Sequence, residues 1–234
     1  MRAVLAVFAL SAAAYSCSPS QKDPATADTA GSSADTAGAM SGDADVAAIG
    51  GTGVPAGYVG RTDRPEQQLS GAKYAVSGNG WEVTTGPAHI LYRPGDSASG
   101  AYTVSTSIDQ LSAPAHPEAY GVFVGGRALD GAGQQYLYFL ARGTGEIMAR
   151  VRDGAGTRNV FAWKKHNAVP VANASGQATY RLSIKVASDS VRFLVNGQQA
   201  GAAAAAGLPT SGVYGLRVNH NLHVRAQPAT VTRP

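Results

Sequence analysis

The chain has 234 residues, with 19 Lys+Arg against 15 Asp+Glu and 44% hydrophobic side chains. That length suits one domain of roughly 180 residues with appendages. The single Cys excludes an internal disulfide framework and any cysteine-based zinc site.

The charge is uneven along the chain. Residues 1–50 carry Arg2 and Lys22 against five Asp, a net −3, while residues 51–234 hold 17 basic and 10 acidic side chains, a net +7. The basic residues are scattered and their longest run is Lys164-Lys165. A solvated basic surface follows from that spread, and nucleic acid is not an expected partner.

Residues 1–16 read as a signal peptide. Arg2 is a one-charge start, and the apolar stretch Ala3 to Tyr15 falls short of the ~20 residues that span a bilayer. Cys17 stands where such a leader is cleaved. The run Ala14-Tyr15-Ser16-Cys17 resembles the lipobox of bacterial lipoproteins, although Ala14 and Tyr15 depart from its usual residues. That resemblance implies a lipid on Cys17 and an exported, envelope-anchored protein. Ser18 in place of Asp implies the outer membrane. Ordinary cleavage nearby, leaving a free thiol, is the alternative.

Residues 17–51 are mostly Ala, Ser, Thr, Gly and Asp, with two prolines and no aromatic residue. Such a segment buries too little apolar surface to offset ordering entropy, so it reads as a tether. A flexible coil of that length reaches about 30 Å.

From about Tyr58 the pattern turns to period-two alternation punctuated by turns. Strands are expected over 80–85, 88–92, 101–110, 119–124, 135–142, 146–152, 157–163, 179–187, 191–195, 212–219 and 222–226. The clearest has Tyr180, Leu182, Ile184 and Val186 on one face, with Arg181, Ser183 and Lys185 on the other. Asn196-Gly197 marks a hairpin, because both residues tolerate positive φ. Arg93-Pro-Gly-Asp is expected to be a loop. The run Ala202–Ala206 has helix propensity but is too short to hold a helix alone. Strands of this number pack as two sheets, so one all-β antiparallel sandwich is expected over residues 52–228.

The segments Tyr120-Gly-Val-Phe-Val-Gly-Gly, Gln135-Tyr-Leu-Tyr-Phe-Leu and Gly145-Glu-Ile-Met-Ala-Arg-Val resemble the middle of concanavalin A-like, or laminin-G-like, jelly rolls. Tyr180-Arg-Leu-Ser-Ile-Lys-Val, Val191-Arg-Phe-Leu-Val-Asn-Gly and Gly212-Val-Tyr-Gly-Leu-Arg-Val look like that fold's closing strands. The likeness spans about 80–226 and is distantly similar to the 3-keto-disaccharide hydrolase-type domain. The fold hosts lectins, adhesive modules, glycoside hydrolases and polysaccharide lyases, so it does not by itself select a function. Its relatives imply calcium, but no Asp-rich loop here would hold that ion. No cofactor is expected.

The laminarinase-type enzymes of this fold use Glu-x-Asp-x-x-Glu, because retaining hydrolysis needs two carboxyl groups about 5–5.5 Å apart. The four glutamates, Glu66, Glu82, Glu118 and Glu146, are far apart in sequence and no Glu-x-Asp occurs. No catalytic residue is assigned, and a non-enzymatic role is favoured. His220 and His223 are three apart, so on a strand they face opposite ways and cannot readily share one ion; if Asn219–Asn221 is a turn, they could approach. No metal site is assigned.

A saccharide site needs aromatic faces and hydrogen-bonding side chains. Tyr136 and Tyr138 share one face of their strand, Arg150 and Arg152 share a face of the next, and Trp163, Lys164 and His166 end another. These seven are the candidate ligand-binding residues for an acidic or neutral glycan. Alternation leaves open whether Tyr136 and Tyr138 instead fill the core, with Leu137 and Phe139 outside. The expected function is a non-catalytic envelope lipoprotein binding carbohydrate or another envelope component. The alternatives are a saccharide-cleaving enzyme with an unrecognised site, such as one pairing Asp109 with Glu146, and an adhesive module that binds protein.

Overall fold

The computed structural model describes residues 53–64 and 67–234. The leader, Cys17 and the tether lie outside the described residues. No helix among the described residues is long and apolar enough to cross a membrane.

The strands in chain order are β1 (Val59–Thr62), β2 (Lys73–Ser77), β3 (Gly80–Thr84), β4 (His89–Ala98), β5 (Tyr102–Gln110), β6 (Ala119–Arg127), β7 (Gln135–Arg142) and β8 (Glu146–Asp153). They continue with β9 (Gly156–Lys165), β10 (Ala178–Val186), β11 (Ser190–Val195), β12 (Gln198–Ala204), β13 (Gly212–Val218), β14 (His223–Ala226) and β15 (Thr230–Thr232). A single 3-10 turn, Leu69–Gly71, is the only helical element among the described residues.

They form two antiparallel sheets. One has the order β1-β4-β13-β6-β7-β8-β9; the other has β12-β11-β10-β5-β14-β3-β2, with β15 added alongside β5. About half of the neighbouring strand pairs are non-consecutive in sequence, as in a jelly roll.

The alternation on β10 carries through to packing. Tyr180, Leu182 and Ile184 are fully buried and Val186 nearly so, while Arg181 and Lys185 are exposed. Ser183 is also buried, and its hydroxyl bonds Ser105 Oγ on β5 at 2.8 Å. Asn196 and Gly197, at φ 50° and 81°, turn β11 into β12, as the hairpin signal required.

Two extensions exceed the sequence reading. The Arg93-Pro-Gly-Asp stretch lies inside β4, at a register irregularity against β13 between Val213 and Gly215. Proline is tolerated at such a bulge because no ladder donor is required there. The Ala202–Ala204 portion of the alanine run is strand, paired with Ser190–Arg192.

The core between the sheets contains Trp81, Val83, Leu91, Val104, Ile108, Val122, Leu137, Phe139, Ile147, Tyr180, Phe193 and Leu216, among others. Burying each such large side chain contributes about 1.5–3 kcal/mol relative to exposure. A second apolar cluster lies on the opposite, outer face of the seven-stranded sheet. It includes Ile90, Tyr92, Phe123, Leu129, Tyr136, Tyr138, Leu140 and Met148. Strands β6 and β7 are therefore buried on both faces.

One polar pair sits inside the main core. The Tyr74 hydroxyl donates to His89 Nε2, and His89 Nδ1–H donates to the Pro87 carbonyl at 2.9 Å, which sets the neutral tautomer. Burial pushes the His89 pKa down to about 4. Between the ordinary value of about 6.5 and that folded value, the unfolded chain takes up a proton that the folded chain refuses. Stability should therefore fall by about 3 kcal/mol as pH drops through that window. Urea unfolding at stepped pH measures it, and a His89→Gln chain should lose that component of the slope.

Candidate functional site

The outer face of the seven-stranded sheet begins with its aromatic floor. Tyr92, Phe123, Tyr136 and Tyr138 form a chain of ring contacts with centroids 5.2–6.2 Å apart. Tyr136 and Tyr138 are 2% and 5% exposed, so they make a floor and not a stacking platform. The alternative orientation fails, because Leu137 and Phe139 are the residues packed between the sheets.

Above that floor the polar side chains tie to one another. Arg217 projects from β13 and grips Asp63 with both terminal nitrogens, at 2.5 and 2.6 Å. Its guanidinium lies 5.7 Å from the Tyr138 ring centroid. Burial disfavours the Asp63 carboxylate, but the Arg217 charge and hydrogen bonds outweigh it and hold its pKa below the ordinary value. Arg152 donates to the Asp63 carbonyl at 3.0 Å and to the Gly154 carbonyl at 2.8 Å. Arg61 donates to the Leu129 carbonyl at 2.6 Å.

Toward β8 and β9 the face opens. Arg150 Nε donates to Asn159 Oδ1 at 2.6 Å. Half-buried Trp163 packs against the outer cluster, with the Arg142 guanidinium 4.2 Å from its ring centroid. Arg142 also holds Glu146 at 2.8 Å, and the Thr144 hydroxyl donates to the same carboxylate. Partial burial opposes ionisation of Glu146, but the Thr144 hydrogen bond and the Arg142 charge hold its pKa below the usual carboxylate value.

Lys164 and His166 do not join this surface group. Lys164 pairs in register with Ile147, which faces the core, and its ammonium lies 4.7 Å from the Phe161 centroid. His166 shapes the loop after β9: its Nδ1 accepts from Ala168 N–H at 3.1 Å and its backbone N–H donates to the Gly145 carbonyl at 3.2 Å. Arg142 and Asn159 escape the sequence reading, which names Glu146 only as an acid beside Asp109, because their placement depends on which strand lies beside which. The period-two pattern showed only that Arg142 shares a face with Tyr136 and Tyr138.

Two further groups bear on chemistry. Asp109 and Glu146 do not form a carboxylate pair: Asp109 belongs to β5 and sits 3.8 Å from Arg225, whereas Glu146 belongs to the other sheet. His220 lies in the turn between β13 and β14 and not on a strand with His223, and His223 Nε2 pairs with Glu82 at 2.7 Å. His220 instead meets His116 and Glu118 at one end of the sandwich. Its Nε2 lies 3.1 Å from His116 Nε2 and 3.1 Å from Glu118 Oε1. Beside His116 and Glu118 is a pocket of about 290 Å³, lined also by Pro114, Gly143 and Thr144.

The architecture is a concanavalin A-like jelly-roll sandwich. Among solved structures, the chain is similar to the carbohydrate-binding module CBM66 from Bacillus subtilis. The TM-score is 0.54 at 12% identity, covering 75% of this chain and 94% of that one. It is also similar to a protein of unknown function with a galectin-like fold from Bacillus subtilis. There the TM-score is 0.54 at 10% identity, covering 75% of this chain and 89% of that one. At such identities the likeness shows the fold alone. No family model and no curated protein matches the sequence.

Proposed function

We propose that the sandwich is a non-catalytic saccharide-binding module, carried on an exported envelope lipoprotein anchored at Cys17. The observation that carries this reading is the group at β7–β9. There the half-buried Trp163 ring, with the Arg142 guanidinium over it, shares strands β8 and β9 with the hydrogen-bonding groups of Glu146, Arg150 and Asn159. Ring faces pack against sugar C–H groups, while guanidinium, carboxylate and amide groups take hydroxyls and carboxylates. Glu146, held ionised, is an acceptor for hydroxyls and is poorly suited to act as a general acid at neutral pH. The fold shared with a carbohydrate-binding module supports the reading without selecting a sugar.

Isothermal titration of the full chain against a panel of neutral and acidic oligosaccharides tests it. At least one should bind, and Trp163→Ala should weaken that binding by roughly tenfold or more without lowering the thermal midpoint greatly. Absence of binding across the panel, or an unchanged affinity in Trp163→Ala, would remove the proposal.

Burial of Tyr136 and Tyr138 favours a second reading, an adhesive module whose outer face meets a protein. A cross-linked envelope protein captured through Arg150 or Asn159 positions, in the absence of any sugar response, would select it.

A further inference from the structure

We propose that His116, Glu118 and His220 form a binding site for a divalent transition metal ion of the zinc class, open on one side to the pocket beside them. Two loops build it, both passing from one sheet to the other at the same end of the sandwich. His116 and Glu118 end the loop between β5 and β6, and His220 lies in the turn between β13 and β14.

The ladder of β6 and β13 sets the alignment. Val218 pairs with Tyr120, and the Asn219 N–H donates to the Ala119 carbonyl at 3.0 Å. Continuing that register by one step places His220 opposite Glu118. A paired sheet thus aims two of the three donors before any ion arrives, and His116 is added two residues from Glu118.

The distances fit one ion. His116 Nε2 and His220 Nε2 are 3.1 Å apart, and Glu118 Oε1 is 3.3 Å from the first and 3.1 Å from the second. Donors bonded at about 2.0–2.1 Å to a common ion are separated by about 3.0 Å at right angles and about 3.4 Å at tetrahedral angles. All three edges fall within that range. Two imidazole nitrogens and a carboxylate oxygen each offer a lone pair, and a cation at their centre satisfies all three together.

The surroundings agree. Glu118 is buried to 8% exposure, and its second oxygen accepts from Asn219 Nδ2 at 3.1 Å. Such a contact orients a ligating carboxylate. His116 and His220 are more accessible, with side chains 45% and 25% exposed, which leaves an entry path from solvent. The pocket of about 290 Å³ that His116 and Glu118 line has room for water or a small oxygen ligand to complete the coordination. Two imidazoles with one carboxylate suit zinc and its neighbours, whereas calcium and magnesium favour all-oxygen sets.

The test is a titration of the untagged full chain with zinc against a chromophoric chelator, in parallel with cobalt absorption spectra. One equivalent should bind per chain, and cobalt should give ligand-field bands. His116→Asn and His220→Asn should each lower zinc affinity by about 100-fold or more. Cys17→Ser and His223→Asn should leave it unchanged. Zinc should also raise the thermal midpoint of the parent chain and not of the two histidine variants, whose zinc-free midpoints should match the parent's and so show that they remain folded. No uptake by the parent chain, or equal uptake by His116→Asn and His220→Asn, overturns the site.

Discussion

Replacing Asp63 by Asn is expected to lower the unfolding free energy by about 3–5 kcal/mol, because it leaves a buried guanidinium without its counter-charge. Arg217 is 6% exposed, and its two terminal nitrogens are both spent on Asp63. Its Nε has no hydrogen-bond partner among the described residues, so the carboxylate is the main compensation for taking the charge out of water. Asn can keep one hydrogen bond but not the charge. The loss comes from stranding Arg217 and does not measure the worth of the pair. A combined Asp63→Leu, Arg217→Met chain, apolar at both positions, should therefore recover much of the stability. The pair also has a pH signature. The Asp63 pKa is lower in the folded chain than in the unfolded one. Its contribution is present above about pH 4 and is lost as pH falls toward the folded value. Urea unfolding of the three chains at pH 7 and at stepped acidic pH measures both effects. An Asp63→Asn loss below about 1 kcal/mol would show that the guanidinium finds other partners.

That pair also shows where sequence reading stops. Strand β10 was legible because one of its faces is wet: Arg181 and Lys185 mark the outside, so Tyr180 and Leu182 must point in. Strands β6 and β7 carry apolar side chains on both faces, and alternation alone cannot orient them. The Tyr136 face was not readable, since Leu137 offers an equally apolar alternative. What fixes it is the second cluster, roofed by Arg217 and Asp63, which lie 154 residues apart. The same holds for His116 and His220, 104 residues apart, which meet only because two sheet crossings share one end of the sandwich. Local pattern specifies strands and turns. Sites assembled by strand order need the topology.

Replacing Phe193 by Ala is expected to cost about 3–5 kcal/mol, through lost burial and the cavity left behind. Phe193 on β11 is fully buried, with ring centroids 5.3 Å from Phe139 and 5.2 Å from Phe161, both on the opposite sheet. The alanine-rich strand β12 explains why that cavity would not close. A side-chain carbon added at Gly201 would lie 2.8 Å from the Phe161 ring, so small residues already let the sheets approach at this edge. With Gly and Ala facing the rings, no long side chain on β12 can swing in to fill the gap. Helix propensity in Ala202–Ala204 loses to this packing, because pairing with β11 satisfies the backbone and small side chains admit the aromatic triad. Phe161, half-buried on the edge strand β9, should cost less when cut to Ala than Phe193 does. Denaturant unfolding of both variants orders the two losses. Equal losses would mean that the three rings act as one unit, while a small loss at Phe193 would mean that the sheets close over the gap.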